Sequence, residues 1–123
     1  MININQAIIA GNVVKDAELR YTKNNKPVTT FRVATNKYSP EGQQETAQYH
    51  NIVCWIDAES YAGLMKGDFV VVTGELRTRK WTDANGVDRY ITEIVAHTVT
   101  IAVESKKPAS NYDSMTTEEA IRF

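Results

Sequence analysis

Residues 68–81 and 87–103 carry the alternation of two long strands, and Asp83-Ala84-Asn85-Gly86 stands between them. Asn-Gly flanked by strand-patterned residues is a strong short-range hairpin signal. The chain must therefore build a long antiparallel finger, and the rest must pack around it. Side chains alternate along a strand, so Arg77, Arg79 and Trp81 share one face. An indole beside cations offers a flat π surface next to positive charge, which suits unpaired bases and backbone phosphates respectively. The same residues also suit a solvated hairpin with one half-buried indole.

The remaining segments read as strands separated by turns. Residues 4–13 predict a strand with Ala7, Ile8, Ile9 and Ala10 buried on both faces. Lys23 to Pro27 is a turn, and residues 28–37 predict a strand with Phe31 and Val33 facing one way and Arg32 the other. Residues 39–42 form a loop, and residues 45–56 a third strand. Asp57 is placed to cap a short helix over 58–65 that Gly67 closes. Five strands with one helix between the third and fourth is the order of an OB-fold, a small Greek-key barrel. The expected class is thus all-β, with residues 1–104 as one OB-fold domain. From Ser105 the strand period is lost, and residues 105–123 read as a disordered tail.

Motifs along the chain carry a resemblance to a known family. Gly11-Asn12, the run Lys15-Asp16-Ala17-Glu18-Leu19-Arg20-Tyr21, Phe31 to Asn36, Tyr49 to Trp55, Met65 to Asp68 and the RTRKW finger occur in order over residues 2–103. Together they resemble the bacterial-type single-stranded DNA-binding proteins, which coat replication forks with OB-folds. The resemblance implies base stacking on Tyr38, Tyr49, Trp55 and Trp81. Tyr38 and Tyr49 stand where relatives often have Trp, and Trp55 where Phe is common, so stacking strength is redistributed. Tyr49 and Trp55 lie on one strand face about 20 Å apart, and two core aromatics would show the same spacing.

Arg32, Lys37, Arg77, Arg79 and Lys80 are the candidate phosphate contacts. Arg20 and Arg89 are weaker, because Glu18 and Asp88 stand nearby to pair with them. The formal net charge of −1 is unusual for a nucleic-acid binder. Residues 1–104 hold 11 basic and 12 acidic side chains, and the tail 3 of each, so division of the chain leaves the balance unchanged. Attraction for phosphate must come from a local cluster of the five cations.

By the same resemblance, His50 lies near a subunit interface and the protein forms homotetramers; a histidine satisfied within its own barrel is the alternative. The ending Glu118-Glu119-Ala120-Ile121-Arg122-Phe123 resembles the family's acidic tip, which docks on replication, recombination and repair proteins. Glu118, Glu119, Ile121 and Phe123 match it, Arg122 replaces the usual Pro, and the long linker of many relatives is missing. A frayed end is the alternative. The short tail leans towards a mobile genetic element as the source.

Several function classes have no support in the residues. One cysteine, Cys54, excludes an internal disulfide, and two histidines far from it give no zinc spacing. Phosphate-loop and metalloprotease motifs are absent, so neither a cofactor nor catalysis is expected. No apolar run approaches a membrane span, and the start MININQAIIAGN lacks the pattern of a secretory signal, which together favour the cytoplasm. The expected activity is sequence-tolerant coating of single-stranded DNA. The rivals are a dimeric primosomal accessory protein of the same fold and an OB-type protein-interaction module without a DNA role.

Overall fold

The computed structural model describes residues 1–38 and 45–105, with side chains for 1–37 and 46–105. Its elements are β1 (Ala7–Val13), β2 (Glu18–Tyr21), β3 (Pro27–Tyr38), β4 (Glu45–Cys54), a 3-10 turn (Ala58–Tyr61), β5 (Phe69–Thr82) and β6 (Asp88–Val103). The sheet runs β1-β5-β6-β4-β3-β2, and an additional β1–β3 pairing closes it into a barrel. The expected OB-fold is present. It contains a short sixth strand, β2, between the first and second predicted strands; Glu18 to Tyr21 pair with Thr30 to Pro27.

The finger forms as the alternation requires. β5 and β6 pair from Phe69↔Val103 to Thr82↔Asp88, with register irregularities between Phe69 and Val70 and between Thr73 and Gly74. Its tip is built around Asp83. Gly86 N donates to the Asp83 carbonyl, and the Asp83 carboxylate accepts from the amides of Asn85 and Val87. Only Gly86 adopts positive φ there, at 79°. The tip is therefore a longer loop with a left-handed glycine, and not a two-residue Asn-Gly turn.

Inside the barrel the strands contribute alternate residues: Phe31 and Val33, Ile52 and Cys54, Val70 and Val72, Ile94 and Ala96. Each Val, Ile or Phe side chain among them contributes on the order of 1.5–3 kcal/mol when removed from water. Burial of Cys54 raises its thiol to about 11, which leaves it neutral and unreactive near neutral pH.

Two local expectations differ from the structure. β1 begins at Ala7, and Ile8 is 63% exposed with Ala10 on the same outward face, so the strand is buried on one side only. The Asn5 amide instead brackets Leu76, donating to its carbonyl and accepting from its N–H, both at 2.9 Å. The predicted helix over 58–65 shortens to the 3-10 turn. Asp57 sits at φ 56° and makes no side-chain cap. The Ala58 carbonyl, which an α-helix would offer to Ala62, accepts from the buried Thr29 Oγ1 at 2.6 Å, and Ala62 N donates to the Glu59 carbonyl instead. The buried Asp68 carboxylate then holds the amides of Met65 and Ser105. Tertiary partners thus compete successfully with the helical bonds.

Candidate nucleic-acid interface

Strand register decides which candidate residues share a surface. β3 and β4 pair Arg32 with Asn51 and Ala34 with Tyr49, so Arg32, Asn51 and Tyr49 face the same side. The Arg32 guanidinium lies 5.0 Å from the centre of the Tyr49 ring, and that ring is 54% exposed. A cation over a phenol face is mildly attractive and holds both groups flat. On the finger, Arg77, Arg79 and Trp81 stand opposite Glu93, Ile91 and Arg89. Trp81 remains 44% exposed, consistent with its place on the free finger.

An open recess of about 330 Å³ joins the two groups. Thr30 and Arg32 of β3, Asn51 and Val53 of β4, Arg79 of β5 and Glu93 of β6 all line it. The recess arises because β4 and β6 meet in parallel over only a short stretch, Asn51↔Glu93 to Val53↔Val95, beyond which the finger diverges. The hollow therefore combines cations, amide and hydroxyl groups with the carboxylates of Asp16, Glu18 and Glu93, and its Arg32 stacks on the exposed Tyr49 ring.

The five expected cations do not all converge. Arg32 and Arg79 line the recess, and Arg77 shares the Arg79 face. Lys37 is exposed but one residue out of phase with Arg32 and Asn36, paired with Thr46 on the other side of the sheet. Lys80 projects from the opposite face of the finger, with its Nζ 3.8 Å from Asp88. Arg20 pairs with Glu18 at 2.7 Å as the sequence suggested. Arg89 pairs with Asp83 at 2.8 Å and not with Asp88. The Arg89 guanidinium and the loop amide of Val87 hold the Asp83 carboxyl below its ordinary range.

Glu93 is the residue that sequence reasoning missed. It is 4% exposed, and Arg77 Nη2 and Arg79 Nε donate to its Oε1 at 3.2 and 2.9 Å. The finger folds about Asn85, which places position 93 opposite Arg77; a two-residue Asn-Gly turn would place Ile94 there, so no sequence signal pointed to Glu93. Tyr90, 69% exposed on the Lys80 face, was also overlooked. So was Lys26, whose Nζ lies 5.2 Å from the Trp55 ring.

Trp55 follows the end of β4 and is partly buried, so less of its ring is free than that of Tyr49. His50 is partly buried and its Nε2 lies 2.9 Å from Thr35 Oγ1, a partner within its own barrel. The Tyr38 side chain and Glu118, Glu119, Ile121 and Phe123 lie outside the described residues. Among the described residues no His, Cys, Asp and Glu cluster could hold a metal ion.

A model of the single-strand binding protein family matches residues 4–102. The chain belongs to the single-strand binding protein family. A single-stranded DNA-binding protein of Caldanaerobacter subterraneus subsp. tengcongensis is 39% identical over 99 residues, covering 78% of this chain and 66% of that protein. The match thus spans just under two thirds of that relative's length. The structure is also similar to a Plasmodium falciparum SSB solved in complex with ssDNA, with a TM-score of 0.67 and 27% identity over 77% of this chain and 88% of that one. The family's OB-fold covers the barrel and the finger alike.

Proposed function

We propose that this chain binds single-stranded DNA without strong sequence preference, as a coat and not as a catalyst. The observation that carries the reading is the register, which puts Arg32 with Tyr49 and Arg79 with Trp81 on outward faces, with Arg32 and Arg79 lining one recess. Exposed rings accept any unpaired base, and the arginines meet the backbone. A duplex keeps its bases stacked and offers the rings nothing. Titration with oligo-dT should quench Trp81 and Trp55 fluorescence at concentrations far below those needed for duplex of equal length. Trp81→Ala should weaken oligo-dT binding by about 1–3 kcal/mol per stacked base while the melting temperature stays nearly constant. Equal affinity for both DNA forms at moderate salt would overturn the reading.

The site extends in this proposal to Tyr38 and Trp55 as further stacking rings and to Lys37 and Lys80 as flanking phosphate contacts. The work is protection and melting of single strands in replication, recombination and repair, in the cytoplasm. No helix among the described residues is long and apolar enough to cross a membrane. Residues 1–104 would act as the binding domain and 105–123 as a tail whose Glu118, Glu119, Ile121 and Phe123 dock partner proteins. Deleting Phe123 should then abolish partner capture and spare oligo-dT affinity; capture that survives the deletion refutes docking. Homotetramer formation, with His50 near an interface, is supported by the exposed apolar side of β1 at Ile8, beside Val71 and Thr73 of β5. Light scattering that gives the mass of a monomer would refute it.

A further inference from the structure

Among the described residues two carboxylates are buried, Asp68 and Glu93. Asp68 serves the fold, since it holds the backbone amides of Met65 and Ser105. Glu93 takes its hydrogen bonds from side chains of the interface, Arg77 and Arg79, and lines the recess itself. A buried carboxylate where a polyanion would bind opposes that binding, so its presence calls for a role in the interface.

We propose that Glu93 is a positioning residue that anchors both finger arginines and sets the charge of the strand-binding face. The inference rests on the single-strand reading above. Arg79 meets Glu93 through Nε and Nη2, and Arg77 through Nη2. A guanidinium has five N–H donors in a planar fork, so each arginine keeps donors for a phosphate while one edge is fixed. Fixing the side chains beforehand reduces the ordering cost of binding. Meanwhile the carboxylate cancels one of the two arginine charges. The cluster presents a net charge of +1 to the strand, which limits affinity and speeds release.

Charge and placement separate in a set of variants. Glu93→Gln retains an oxygen acceptor for both arginines but removes the charge. It should bind oligo-dT about 3- to 10-fold more tightly at moderate salt, the effect of one unit charge several ångströms from a phosphate in a solvent-like medium. The slope of log K against log salt should steepen by about 0.7, the single-strand value per phosphate neutralised. Arg79→Gln should make the slope shallower by about the same amount. The double variant Arg79→Gln/Glu93→Gln should return to the wild-type slope, because it removes one charge of each sign. Fast mixing should show slower strand release from Glu93→Gln.

An unchanged or weaker affinity for folded Glu93→Gln, or a double variant with the slope of Arg79→Gln alone, overturns the proposal. Should Glu93→Gln fail to fold, the double variant carries the test, since it leaves only the half-exposed Arg77 without a carboxylate in place of two arginines. Failure of the wild type to bind oligo-dT is a separate result that overturns the single-strand reading itself.

Discussion

Arg77→Ala combined with Arg79→Ala should destabilise the barrel by about 3 kcal/mol, the lower end for breaking a buried ion pair. Glu93 is 4% exposed, so loss of both partners leaves its carboxylate out of water with nothing to compensate it. The two arginine side chains are 44% and 51% exposed, and water reaching that side of the cluster keeps the cost at the low end. Either single replacement should cost much less, because the other arginine still touches Oε1. Adding Glu93→Gln to the double variant should recover most of the loss. Urea denaturation reads all of these as midpoint shifts at constant slope. If the double variant is as stable as the wild type, Glu93 is better hydrated than its burial implies. Affinity loss in arginine variants of this finger therefore needs a stability measurement beside it.

Gly11→Ala should be the most damaging single substitution in β1. A Cβ at Gly11 would stand 2.2 Å from the Ala34 carbonyl oxygen and 3.0 Å from Val33 Cγ1. The oxygen is backbone, so no side-chain rotation relieves the clash. β1 pairs with β3 at Asn12↔Ala34 and Val13↔Val33 and with β5 along most of its length, so any shift opens the barrel on one side. Overpacking of this kind costs about 3 kcal/mol or more. At about 4 °C per kcal/mol for a domain near this size, the melting temperature should fall by about 12 °C or more. Calorimetry checks this, and a shift under a few degrees would mean that the β1–β3 contact loosens without penalty. DNA binding should fail in step with the fold, because β3 carries Arg32.

Much of the architecture was legible because it is written in short-range alternation. Phe31/Val33 and Val70/Val72 announce their inward faces at every second residue, and the Asn-Gly region announces the finger. The shared face of Arg77, Arg79 and Trp81 follows from the same period and is found. β2 was hidden because Glu18 to Tyr21 has only four residues, and its pairing with β3 supplies what local pattern lacks. The helix over 58–65 was overestimated because Thr29 takes the Ala58 carbonyl that local propensity assigns to the helix. Membership of the single-strand binding protein family was equally legible, since its motifs are contiguous words in the chain.

Sequence alone determined five of the six strands, the finger, the residue types of the interface and a charge balance that is not basic. Tertiary structure decided which of those residues act together. A count of cations treats Arg32, Lys37, Arg77, Arg79 and Lys80 alike. Register sends Lys37 and Lys80 to other faces, and burial joins Glu93 to Arg77 and Arg79. Charge is additive along a chain, but its effect falls with distance and depends on the surrounding dielectric. Distance and burial are properties of the folded barrel, so only the fold could show that Arg77 and Arg79 are held by a buried carboxylate of the return strand.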